Sequence, residues 1–195
     1  MISATQRCAA LSLAFCTLVL ALTGLNTSPA SADIPGFGDA PLIEAIRDGS
    51  VEKVTAALVD GTTPNQRAND GTPALVLAVS EHSLEIVKLL VEQGGRVDIS
   101  SKDETTPLTL AAANGDTAIV SYLLDKKADI GKTGALRETA LIKAVRAHHE
   151  DVVKVLLDRG ADANDTDDTG TSVLEMAQRS GQPSVVAMLK KKGAT

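Results

Sequence analysis

"LLDRGADAND", residues 156–165, joins a leucine pair to Gly160-Ala161-Asp162 and then to a polar stretch. Such a run reads as the last turn of an apolar helix and its glycine stop. Thirty-three residues earlier the chain reads "LLDKKADIGK" at 123–132, and one further period back it reads "LLVEQGGRVD" at 89–98. A stop that recurs at a fixed spacing marks a repeat array, and the period sets the fold before any other feature.

Stepping by 33 from Thr106 gives Ala40, Pro73, Thr106, Thr139 and Ser172. The column two places on is Leu42, Leu75, Leu108, Leu141 and Leu174, and five on it is Ala45, Ala78, Ala111, Ala144 and Ala177. Nine on stand Gly49, His82, Gly115, His148 and Gly181, and twenty-one on Gly61, Gly94, Lys127, Gly160 and Gly193. Five copies align without an insertion. Each column has a physical task. Thr106 and Thr139 can cap a helix by accepting a backbone N–H, and Pro107 suits a first helical position. Leucine and alanine three apart share one helical face, with alanine keeping it thin enough for close neighbours. At the ninth column the chain reverses, and glycine allows the left-handed backbone there. Histidine is among its better substitutes, which accounts for His82 and His148 without a metal. A second apolar stripe follows: Ile86-Val87 with Leu89-Leu90, Ile119-Val120 with Leu123-Leu124, and Val152-Val153 with Leu156-Leu157.

"TTPLTLAAANGDTAIVSYLLDKKADI", from Thr105 to Ile130, closely resembles the ankyrin repeat. That signature runs T-P-L-H-x-A-A, then G, then I-V-x-x-L-L, then G-A-D. The resemblance covers residues 38–195 and implies an all-α fold, a solenoid of stacked helix-turn-helix units joined by hairpin loops. The copies are expected near 38–67, 68–100, 101–133, 134–166 and 167–195. Three departures stand out. The signature histidine is replaced by Ile43, Val76, Thr109, Ile142 and Glu175; copy two shifts its Thr-Pro forward in "DGTPAL"; copy four reads "ALRETAL" and lacks the Asp-Gly turn. The last two predict locally altered hairpins. Terminal repeats face water on one side, and the outer copies substitute accordingly. Lys53 stands where inner copies have Ile86, Ile119 and Val152; Lys190 replaces Val91, Leu124 and Leu157; Gln178 replaces Val79, Ala112 and Val145. A capped five-repeat array, monomeric, is expected.

Residues 1–32 stand outside the pattern. Arg7 is their one charge, an apolar run spans Cys8 to Leu25, and Ala30 and Ala32 frame an A-x-A exit before Asp33. Together these predict a Sec-type signal peptide, residues 1–32, cut after Ala32, and a mature domain over 33–195 in the periplasm or secreted. An uncleaved anchor helix is the alternative, because the apolar run nearly reaches spanning length. Cys16 follows bulky Phe15 inside that run, which argues against a lipoprotein signal. Cleavage would remove both cysteines, an arrangement that avoids mispairing in an oxidising compartment. Lys+Arg would fall from 19 to 18 against 25 Asp+Glu, giving 18 − 25 = −7. Acidity of this size argues against a nucleic-acid or anionic-membrane surface, where clustered positive charge supplies most of the affinity.

Apparent chemical motifs yield to the period. His148-His149 is a turn column and its neighbour, and no cysteine would remain in the mature chain to complete a zinc site. "DTDDTGTSVLEM", from Asp165, imitates a calcium loop but has Thr169 at its fifth place and Met176 at its twelfth, with Glu175 one short. A hairpin tip is the better reading. Asn164-Asp165-Thr166 matches a glycosylation acceptor while filling the family's turn-asparagine column. There is no G-x-S-x-G, phosphate-cradling glycine loop or H-E-x-x-H, so neither cofactor, metal nor catalysis is expected.

The resemblance implies a scaffold that binds a protein partner on the concave face formed by hairpins and first helices. Carried over by position, the hairpin contacts would be Asn69, Asp70, Thr72, Lys102, Asp103, Thr105, Leu136, Glu138, Asp168 and Thr171. First-helix ends would add Arg47, Asp48, Ser80, Glu81, Asn114, Arg146 and Arg179. Acids (Asp48, Asp70, Glu81, Asp103) precede bases (Arg146, Arg159, Arg179, Lys192) along the chain, which predicts a dipolar groove. An exported adaptor that protects, inhibits or scaffolds its partner is the expected function. The alternatives are a membrane-tethered scaffold and a secreted effector acting on a host protein.

Overall fold

The computed structural model describes residues 39–195; the expected signal segment and its cleavage site lie outside them. Ten α-helices follow in five pairs: α1 (Pro41–Arg47) and α2 (Val51–Val59), α3 (Ala74–Ser80) and α4 (Leu84–Glu92), α5 (Pro107–Asn114) and α6 (Thr117–Asp125), α7 (Ala140–Arg146) and α8 (Glu150–Asp158), α9 (Val173–Arg179) and α10 (Pro183–Lys191). Odd-numbered helices stack on one another in one row and even-numbered helices in a second. The leucine and alanine columns are buried in all five copies and form one continuous core with Ile86, Ile119, Val152 and their stripe partners. Lys53, Gln178 and Lys190 are exposed at the positions where inner copies bury apolar side chains.

Local chemistry explains where the helices begin. Thr106, Thr139 and Ser172 each accept a backbone N–H from three residues on, satisfying one of the donors a helix start leaves unpaired. Thr109, at the signature-histidine position, closes a capping box by accepting the Thr106 N–H at 2.9 Å. The reversal between paired helices is left-handed at Gly49, His82, Gly115, His148 and Gly181, with φ of 54° and 62° at the two histidines. The periodic column therefore accounts for both residues.

The stack is also stitched between copies. Asn65 Oδ1 accepts the Arg96 N–H at 2.8 Å, Asp98 Oδ1 the Asp129 N–H at 2.9 Å, and Asn164 Oδ1 the Thr195 N–H at 3.2 Å. Those acceptors lie 33 or 66 residues apart, and the missing member of their column is Gly131, which has no side chain to offer. A second set links the helix rows. Ser50 and Ser83 cap their own helices, whereas the equivalent Asp116, His149 and Gln182 reach back to the preceding copy. Asp116 Oδ2 meets His82 Nδ1 at 2.8 Å, His149 Nε2 meets the Ala113 carbonyl at 3.0 Å, and Gln182 Nε2 donates to the Val145 carbonyl at 2.9 Å. The His149 ring also occupies the space over Gly115, where an added Cβ would come within 2.6 Å of Nδ1.

Candidate protein-binding face

Four hairpins project between consecutive helix pairs, and one hydrogen bond repeats in all of them. Ala68 N–H donates to the Thr72 carbonyl at 2.8 Å, Ser101 to Thr105 at 3.0 Å, Gly134 to Glu138 at 2.9 Å and Asp167 to Thr171 at 3.2 Å. The first and last hairpins also carry a bridge at their base, Arg67 with Pro73 and Thr166 with Ser172. Each bridge is closed by the next residue, Ala74 N–H donating to the Gln66 carbonyl at 2.8 Å and Val173 N–H to the Asp165 carbonyl at 2.9 Å; in the second hairpin that donor position is Pro107, which has no N–H to donate. A further left-handed column, which the sequence showed only through its Asp-Gly turns and the tip at Gly170, falls at the tips: Gly71, Glu104, Arg137 and Gly170, all with positive φ. Substituting glycine by glutamate or arginine hides that column from a search for glycines.

Short polar side chains brace three of the four tips. Asp70 accepts the Thr72 N–H at 2.7 Å, Asp103 accepts the Ser101 and Thr105 hydroxyls, and Asp167 accepts from Thr169 and from the Thr171 N–H. Donors aimed at a carboxylate favour its charged form. Hydrogen bonds from Thr72, Ser101 and Thr169 accordingly hold the Asp70, Asp103 and Asp167 carboxyls below the usual range. Burial pushes nearby Asp165 the other way, against one hydrogen bond from the Thr139 hydroxyl at 2.9 Å. With the Asp167 carboxylate committed to Thr169, Thr171 and Arg146, the tip of the 165–176 segment is a braced hairpin.

Fourth-repeat residues depart from this plan. Ala135–Arg137 forms a 3₁₀ turn closed by Glu138 N–H donating to the Ala135 carbonyl at 3.2 Å, with φ of 59° at Leu136 and 55° at Arg137. Positive φ at both central residues is the geometry of a type I′ turn, which ordinarily selects Asn-Gly or Asp-Gly. Glu138, at the position of Thr72, Thr105 and Thr171, is only 1% exposed and ion-paired with Lys143 and Arg146. Arg146 extends the network to Asp167 at 2.6 Å.

The residues carried over from the family signature therefore separate. Asn69, Asp70, Lys102, Asp103, Leu136 and Asp168 are exposed at tips; Thr72, Thr105 and Thr171 are half-buried beneath them. Ser80, Glu81 and Arg179 are exposed at first-helix ends, while half-buried Asn114 Nδ2 points to the Val79 carbonyl at 3.5 Å. Glu138 is withdrawn from the surface as the anchor of its own hairpin. Arg47 is paired with Asp39, Arg179 with Glu175 at 2.6 Å, and Arg146 with Glu138 and Asp167. Asp48 pairs with Lys53 at 2.6 Å beside the α2 start.

The expected dipolar groove does not survive this pairing. Arg159 and Lys192 cap the second-row helices α8 and α10 and pair with Asp125 at 2.8 Å and Asp158 at 3.1 Å. Among the described residues, Asp70, Glu81, Lys102, Asp103, Arg137 and Asp168 have no ion-pair partner, so the acidic side of the expected groove keeps three of its charges while every base on the other side is paired. Linear order along the sequence misled because charge position was read without its partner, and pairing across 21 or 34 residues leaves no local signal.

Elsewhere, the described residues include no helix long and apolar enough to cross a membrane and no cluster of three metal-ligating side chains. Family comparison matches the chain to a model described as ankyrin repeats (3 copies), over residues 8–103, 42–134, 93–167 and 128–195. The search of curated proteins returned no significant match. Ankyrin repeats are a non-enzymatic interaction fold that binds protein partners. Columns, helix pairs and matches agree: the chain belongs to the ankyrin repeat family.

Proposed function

We propose that this chain is an exported, non-catalytic adaptor that holds one protein partner on the face formed by its hairpin tips and first-helix ends. One observation carries the reading: the turn hydrogen bond is the same in four hairpins, while the side chains at their tips differ from copy to copy. A constant frame that displays changing side chains is the arrangement a recognition surface requires. Export rests on Arg7, the apolar run from Cys8 and the Ala30-Ser31-Ala32 exit. The function follows as protection, inhibition or scaffolding of a partner in the periplasm or outside the cell, with the array acting as a monomer.

Reversing exposed, unpaired charges tests the face without dismantling the fold. Glu81→Lys with Asp168→Lys should weaken partner binding at least tenfold, while Lys154→Glu on the second helix row should not. Equal losses from both would overturn the reading. Mass spectrometry of the processed protein tests export: a chain starting at Asp33 is expected, and retention of Leu11–Leu25 would support the membrane-tethered alternative.

A further inference from the structure

We infer that the third hairpin is a preorganised finger that inserts Leu136 into an apolar socket on the partner protein, with Arg137 against an acidic rim. The inference rests on the binding face proposed above and commits it to one contact and one partner chemistry.

The argument starts from a conflict between sequence and fold. Leu136 and Arg137 occupy the two central positions of a type I′ turn at φ of 59° and 55°, where side chains with a Cβ are strained and Asn-Gly is preferred. Leu136 is also 59% exposed, one of two large hydrophobic side chains so exposed among the described residues. The equivalent positions are Asp70, Asp103 and Thr169, polar residues whose side chains serve their own turns. Leucine gives this turn no such help.

Fixation of the turn comes instead from outside it. The Leu136 carbonyl accepts the Asp168 N–H of the next hairpin at 3.2 Å, and Glu138 plants a buried carboxylate between Lys143 and Arg146. A buried ionic anchor is demanding, because desolvation opposes the attraction between its charges. Strained backbone, exposed apolar surface and a buried charge each oppose folding, and they coincide in three consecutive residues. Such local conflicts, held by surrounding structure, mark functional positions. Their joint product is a leucine held rigidly in water, ready to bind without further loss of backbone entropy. Arg137 is exposed beside it with no carboxylate partner among the described residues, so a socket rimmed by Asp or Glu satisfies both side chains. Central apolar anchors and arginines carry most of the energy of protein interfaces.

The test places p-benzoylphenylalanine at position 136, 102 or 154 of the full chain, expressed in its native organism. The protein crosslinked there is then purified as the binding probe. Position 136 should crosslink to a peptide rich in apolar residues and flanked by Asp or Glu. Leu136→Asn with Arg137→Gly should lose at least about 30-fold in affinity, the scale of an interface anchor, while melting no lower than the unaltered chain because turn strain is relieved. Leu136→Met should bind within threefold. Unchanged affinity of the double variant, or a basic socket, overturns the inference. Crosslinking at 102 without 136 rejects the finger and keeps the face; crosslinking at 154 alone, or at no position, counts against both.

Discussion

Asp165 and Asp167 stand two residues apart and are driven in opposite directions by their surroundings. Hydrogen bonds from Thr169 and Thr171 lower Asp167, so its charged form stabilises the fold above its unfolded value of about 3.9. That contribution disappears as pH falls through the lowered folded-state value. Burial raises Asp165, so its charge opposes folding at neutral pH and protonation relieves the penalty as pH falls through the raised value. Asp167→Asn should therefore destabilise at pH 7 and make little difference near pH 2, whereas Asp165→Asn should be neutral or stabilising at pH 7. Urea melts at the two pH values check both, and a matched loss from the two variants would contradict the assignment. At this scale the sequence was legible wherever backbone conformation chose the residue. His82 and His148 were readable as glycine substitutes because the period placed them. Glu138 was not, since its burial depends on Lys143 and Arg146 folding back across a turn.

Hairpins and helix pairs are held by rungs that recur with the period, and one rung is missing. Gly131 occupies the column of Asn65, Asp98 and Asn164, and an added Cβ there would make only an ordinary contact with Asp129 at 3.7 Å. Gly131→Asn should let its carbonyl accept the Asp162 N–H and should raise stability by about 1–2 kcal/mol, through one hydrogen bond and a less flexible unfolded chain. Chemical denaturation measures it; an unchanged midpoint would show that the rungs follow the stack without supporting it. Helix existence, capping and reversal were all readable from spacing, because each depends on residues within one turn. The altered third hairpin was visible in "ALRETAL" as a departure, but its type I′ geometry was not, since leucine and arginine at those positions contradict the turn's own preference. The bonds from Asp116, His149 and Gln182 were equally hidden: each column member looks like a helix cap until the neighbouring copy is in place.

Across the whole array, stability comes from contacts between neighbours, and Leu141 sits where α7 meets α5 and α9 with 1% of its surface exposed. Leu141→Ala should cost about 2–5 kcal/mol, the range for a buried leucine truncation. A loss below about half a kcal/mol in a denaturant melt would place that column outside the core. The overall architecture was the most legible level, because a 33-residue repeat states its own stacking. The binding charges were the least legible, because most of the arginines named on the face are consumed by pairing within it. Binding through that face is the central claim, and hydrogen–deuterium exchange of the complex with its captured partner tests it most directly. Protection is predicted at the tips around Asp70, Asp103, Leu136 and Asp168 and at the ends of α3, α5, α7 and α9. Protection confined to the second row, around Lys88, Tyr122 and Lys154, would contradict it.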